Sequence, residues 1–281
     1  MASSLAIRRK SANAVFVAFC FIMTVIALGL LGLILFSLLK NGVGGVDLKV
    51  FTMATPPPGT EGGLQNAITG SLLMCGIGMV IAVVIGLLAG TWLAEYGGSS
   101  AYGRVVRFLN DVLLSAPSIL IGLFVYELMV KPLHSFSGVA GGVALGLIAV
   151  PVITRATEDV LKLQPAALRE SGVALGTTLS TTIRKIMWRA AQSGILTGCL
   201  LAFARISGET APLLFTSLGN QFQNWNLLKP MSALPQVIFT FAMSPYDDWR
   251  RLAWVGAILI TVAVLATQII ARILIREAHR Q

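Results

Sequence analysis

Apolar residues run along this chain in six long blocks, each ended by charge or by a Gly or Pro cluster. About 20 apolar residues in helix cross a hydrocarbon layer about 30 Å thick, and the first two blocks, Ala14 to Leu39 and Ile68 to Leu93, exceed that length. The third, 112–130, is interrupted by Pro117 and Glu127, and the fourth, 139–153, is short. The fifth covers 193–217 and the sixth Leu252 to Ile275. The pattern predicts an all-α integral membrane protein with six transmembrane helices.

One polar stretch between blocks, 154–192, carries a helical pattern of its own. Pro165 suits the first position of a helix, where its missing N–H would be unpaired anyway. The run "PAALRESGVALG" then puts Ala167, Leu168, Ser171 and Leu175 near one face, with Arg169 and Glu170 on another. A second helix is predicted to start after Ser180 or Thr181, either able to cap it, and to continue through "IRKIMWRAA". Two amphipathic helices at a membrane surface serve either as an interfacial layer or as a docking face for a soluble partner.

Composition sets the solvent. The 281 residues are 56% hydrophobic and 12% charged, with mean hydropathy +0.81, whereas a soluble domain has about 25% charged residues. The formal charge of +9 is laid out by topology. Basic residues concentrate before the first block, between the second and third, in 154–192 and after the sixth. The alternate connections hold only Lys40, Lys49, Lys131, Lys229, Arg250 and Arg251. Short cytoplasmic loops retain positive charge, so both termini are predicted cytoplasmic, and anionic lipid rather than nucleic acid accounts for the basic balance. The first block is too long for the core of a signal peptide and reads as a retained span.

Catalytic and metal chemistry finds no support. Cys20, Cys75 and Cys199 sit singly in three blocks, and His134 and His279 are isolated. Without a GxxxxGK loop the chain has no such means of holding ATP, and no cofactor is expected on it. Small residues spaced by four, Gly86 and Gly90, Gly194 and Gly198, and Gly138, Gly142 and Gly146, predict close helix packing. Glu127 and Lys131 read as an interfacial pair, and Asp111 as a residue near the inner membrane edge. The outer segment 219–251, with Trp225, Lys229, Asp247, Asp248 and Trp249, offers either ordinary interface aromatics or a surface for an external protein.

Inside the fifth block, "ARISGETAPLLFTSLG" carries Arg205 and Glu209. An arginine at the centre of a span costs roughly 2.5–3.5 kcal/mol on insertion scales, so it normally faces a partner or a wet cavity. In continuous helix Glu209 would share its face and neutralise it. Alternatively, Arg205 presents its planar fork of donors to a passing oxyanion, with hydroxyls of Ser207 and Thr210 beside it and Gly208 and Pro212 loosening the helix. An ionised Glu209 would accept the proton that phosphate still carries near neutral pH, whereas sulfate has none to offer.

The spacing Glu170, Gly176, Ile186, with Ser171 and Gly172 where two alanines are usual, resembles the cytoplasmic loop of ABC importer permeases. Trp188 and Arg189 replace its usual Leu-Pro. Three stretches, "SAPSILIGL", "PAALRESGVALGTT" and "RISGETAPLLFTSLG", are similar to the phosphate-specific permeases of that family, and the likeness extends from about Leu64 onward. It implies a bacterial inner-membrane, multi-pass subunit with a tail, first span and outer loop at 1–63, a transport domain at 64–275 and a cytoplasmic tail at 276–281. It implies a second permease subunit, a cytoplasmic ATPase dimer binding ATP-Mg, and an extracytoplasmic phosphate-binding protein. Inorganic phosphate would pass Arg205, Ser207, Gly208, Glu209 and Thr210. Residues Pro165, Ala167, Leu168, Glu170, Ser171, Gly172, Leu175, Gly176 and Ile186 would form the coupling loop seated in the ATPase. A sulfate or molybdate permease, a membrane scaffold or a signalling protein remain alternatives; an intramembrane enzyme lacks a nucleophile and base.

Overall fold

A computed structural model describes residues 2–278, and side chains for 8–273. Those residues are helical almost throughout, and their β pairing is confined to an isolated bridge between Leu218 and Met231. Helix α1 (Ala2–Gly42) is a single 41-residue rod, followed by a short turn of helix, α2 (Leu48–Thr52). Helix α3 (Gln65–Trp92) widens at its end into a π turn, Leu93–Gly97. Helix α4 (Ala101–Ser115) is capped by the Ser100 hydroxyl, which accepts from the Gly103 N–H at 3.0 Å. Pro117 then separates α4 from α5 (Ser118–Val125), which passes through a π turn into α6 (Lys131–Leu133).

Helix α7 (Gly138–Lys162) is the axis of the bundle. Its glycines let α3 lie against it: a Cβ at Gly142 would stand 2.6 Å from Ile77, and one at Gly86 2.8 Å from Ile153. On another side, Gly194 and Gly198 face Val160 and Ala156, as the four-residue spacing predicted. In lipid this contact replaces the hydrophobic drive, because lipid chains are as apolar as the side chains. Helices α8 (Ala166–Ala174) and α9 (Leu179–Thr182) follow, and α9 runs through a π turn, Ile183–Met187, into α10 (Trp188–Ser207). The chain closes with α11 (Ala211–Thr216), α12 (Leu234–Ala242) and α13 (Asp247–Ala278).

Several predicted elements change. Five described helices are long and apolar enough to cross a membrane, and a sixth span exists only if α4 and α5–α6 count together, bent by 104°. The block 112–130 therefore straddles a sharp turn, because Pro117 removes an N–H and drives Ala116 out of helical backbone. The helix over 193–217 stops at Ser207, and it starts far earlier, at Leu179, capped by Thr178 rather than by Ser180 or Thr181. There is thus no free-standing second surface helix: "IRKIMWRAA" is the root of the fifth span. Helix α1 stands apart, with Leu38 its first buried hydrophobic residue, and its end touches α13 where Gly42 meets Ile258.

Candidate functional site

Two places collect the residues singled out from the sequence. In the first, α10 ends at Ser207 and α11 begins at Ala211, so the chain between them leaves the α-helical ladder. Only loose bonds bridge the gap, Gly208 N–H to Arg205 carbonyl at 3.4 Å and Glu209 N–H to Ile206 carbonyl at 3.3 Å. The break removes the shared face that a four-residue spacing would give Arg205 and Glu209. Neither makes an ion pair with a described residue, Arg205 being exposed on the subunit and Glu209 half-buried. Open space lies beside Gly208, where an added Cβ would meet nothing nearer than the Arg205 carbonyl at 4.0 Å.

The two hydroxyls differ. Ser207 donates to the Phe203 carbonyl one turn back, at 2.7 Å, so its proton is committed to its own helix. Thr210 is half-buried at the start of α11 and its side chain does not cap that helix. Pro212 presses α11 against α5, its Cα standing 2.5 Å from where a Cβ of Gly122 would be. The break is therefore held by α5 on one side and carries a guanidinium, a carboxylate and a hydroxyl.

The second place is at the far end of α7, where α8 lies across the ends of α3, α7 and α9–α10. Pro165 is the N-cap residue of α8, one position before its first helical residue. Gly172 is buried, and a Cβ there would run into the Thr182 side chain. Gly176 adopts φ +73°, and the bonds Thr177 N–H to Gly172 carbonyl and Gly176 N–H to Val173 carbonyl close a Schellman cap. Leu168 packs on a cluster formed by Leu161, Met187 and Ala191, and Ile186 is half-buried in the π turn. Ala167, Glu170, Ser171 and Leu175 point outward, Leu175 being 79% exposed. The predicted faces are thus partly exchanged, with Leu175 outside and Arg169 inside.

Arg169 supplies the contact that sequence reading missed. Its Nε and Nη2 donate to both carboxylate oxygens of Glu95, each at 2.8 Å, and Nη2 and Nη1 also reach the carbonyls of Leu161 and Gln164. The Glu95 side chain is 3% exposed. Hydrogen bonding to that carboxylate raises the Arg169 pKa against the opposing pull of burial. Nearby, Arg107 of α4 donates to Glu158 of α7 at 2.6 Å and to the carbonyls of Leu93 and Gly98, while Lys162 also holds Glu158. The only sequence signal was charge at the ends of apolar runs; nothing in it paired residues 74 positions apart. The Glu127–Lys131 pair does form, at 2.6 Å on an exposed surface.

Apolar helices are thus packed through glycine, one of them is broken beside a guanidinium that pairs with no described carboxylate, and a surface helix is pinned at one end. Residues 82–280 match the family described as binding-protein-dependent transport system inner membrane component. The chain belongs to that family of integral inner-membrane transport permeases, which are not enzymes, and within it to the PstA group. Over 265 residues it is 51% identical to the phosphate transport system permease protein PstA of Haemophilus influenzae, covering 94% of each chain. The namesake from Yersinia pestis is 53% identical over 242 residues, 86% of this chain and 82% of that one. Among solved structures, a chain of the inward-facing MetNI methionine ABC transporter superposes with a TM-score of 0.63 at 19% identity, covering 75% of this chain and 94% of that one. That likeness is one of fold.

Proposed function

We propose that this chain is a permease subunit of an ATP-driven importer of inorganic phosphate, with the α8 end of the bundle in the cytoplasm. Arg205 carries the reading. A guanidinium two residues from the end of a helix long and apolar enough to cross a membrane, with no carboxylate partner among the described residues, is suited to an anion, and its planar fork matches phosphate oxygens. Relatives at about half identity are named as phosphate permeases. Thr210 and the loosened backbone at Gly208 add polar groups beside it. A second permease subunit would close the path, since Arg205 is exposed on the isolated chain. The outward face of α8, with Glu170 among the exposed Leu163, Val173 and Leu175, is suited to the cleft of a cytoplasmic ATPase dimer that binds ATP-Mg. An extracytoplasmic binding protein would deliver phosphate at the opposite end.

The test is ATP-driven uptake of labelled phosphate into vesicles that hold the protein with its copurified partners, with excess sulfate as competitor. Uptake that resists sulfate is expected. No phosphate uptake by a complex that hydrolyses ATP would sink the substrate assignment, and competition by sulfate would favour a general oxyanion permease. Glu209→Gln tests the second charge at the break. The expected result is weaker sulfate exclusion, because a neutral amide no longer repels a fully deprotonated anion; unchanged uptake together with unchanged exclusion removes Glu209 from selectivity.

A further inference from the structure

A short helix that receives force from a neighbouring subunit moves the bundle only if something stiff links it to the spans. Apolar contact alone lets α8 slide. Gly172 against Thr182 fixes its distance from α9, and Leu168 fills a shallow cluster, but neither opposes a pull along the surface. Thr177 and Thr182 share a hydroxyl hydrogen bond that ties the α8 cap to α9, and the directional link to the end of α3 is Arg169. Its fork is bidentate, and the carboxylate it grips is almost wholly buried, so the pair exchanges poorly with water.

Glu95 is not on an ordinary helical turn. It lies in the π turn that ends α3, and one arginine grips that turn from each side. Arg169 holds the Glu95 carboxylate from α8, while Arg107 holds the Leu93 and Gly98 carbonyls from α4. Helix α4 leads through the bend at Pro117 into α5, and α5 meets α11 where Gly122 touches Pro212, two residues beyond Thr210. A chain of contacts thus leads from α8 through the π turn, α4, the bend at Pro117 and α5 to the break beside Arg205. A π turn has a widened hydrogen-bond ring, and such turns inside α-helices recur at functional sites.

We propose that the Arg169–Glu95 pair is the positioning clamp through which movement of α8 reaches the end of α3, with the π turn 93–97 as the joint. This rests on the proposed role of α8 as the ATPase-facing helix. Neither residue touches substrate. Their part is to keep ATP hydrolysis and transport in step.

The experiment uses the whole complex purified with its partners and reconstituted in vesicles. Arg169→Gln is expected to keep most ATP hydrolysis and to lower the phosphate moved per ATP at least about fivefold, the lower end of ordinary coupling effects. Glu95→Gln should do the same, and the double variant should be no worse than either single one, because both remove a single interaction. Arg169→Lys keeps the charge, loses the fork and should fall between. An unchanged phosphate-to-ATP ratio in Arg169→Gln, or additive losses in the double variant, overturns the clamp.

A second readout does not depend on the substrate. Amide hydrogen exchange is compared between resting and nucleotide-trapped complex. In the wild type 93–98 and α8 should change together; in Arg169→Gln, or in Arg169→Lys if the first variant does not assemble, α8 should change alone. A response at 93–98 as large as in wild type overturns the proposal, even if phosphate proves to be the wrong substrate.

Discussion

Arg205→Gln is expected to lower phosphate uptake by roughly 10- to 100-fold while leaving the complex assembled, from about 1.5–3 kcal/mol for a lost hydrogen bond to a charged group. The two halves of that result come from different physics. Uptake falls because glutamine presents a single neutral amide where the guanidinium offered a charged fork. Assembly survives because Arg205 supports no ion pair and is exposed on the subunit, so its removal strands no buried carboxylate. Arg205→Lys separates charge from shape, and uptake between wild type and glutamine is expected. Labelled phosphate uptake, normalised to complex recovered, is the measurement; an Arg205→Gln complex that transports at the wild-type rate would demote the residue to a bystander.

Gly90→Val should give a large loss of stability. A Cβ at Gly90 would stand 2.5 Å from the carbonyl oxygen of Thr154 and 2.7 Å from the Thr157 Cβ. The first of these is backbone in the middle of α7 and cannot rotate away, so α3 and α7 must separate along their seam. Overpacking of this kind costs about 1–3 kcal/mol or more, which for a chain of this size lowers the melting temperature by on the order of 5 to 10 °C. Gly76 lies on the same helix with nothing within 4 Å of its would-be Cβ. Gly76→Ala is the control, expected to melt at or slightly above the wild type through better helix propensity. Equal melting of the two variants in detergent would show that the seam is not what holds the bundle.

Much of the architecture was legible in advance. Apolar runs longer than a bilayer needs marked α1, α3 and α13, since backbone polar groups in lipid leave little choice but helix. Glycines four apart marked the seams on either side of α7, because only a residue without a side chain admits another backbone that closely. Gly176, whose positive φ ends α8, was a missed signal, since a glycine just past a helical run is a common stop. Helix α12 was missed, although Leu234, Val237 and Phe241 at helical spacing, with Pro235 in its first turn, carried the signal.

The errors share a cause. Hydrophobic runs report how apolar a stretch is, and they do not report where the chain bends. The block 112–130 has the composition of a span but is cut at Pro117, and the block 193–217 extends past a break at Gly208, across which the four-residue spacing gives no ion pair. Periodicity alone put Arg205 and Glu209 on one face, an inference valid only within continuous helix.

Local properties were therefore settled by the sequence itself: an apolar composition, helical class and the small-residue seams. Each follows from composition or from spacings of a few residues. Tertiary structure alone decided which charges meet. Arg169 finds Glu95 across 74 positions, Arg107 finds Glu158 across 51, and Arg205 finds no carboxylate among the described residues. An ion pair is a property of three-dimensional distance, and at the ends of apolar runs any cation has several equally plausible anions until the packing of α3, α4, α7 and α8 selects one.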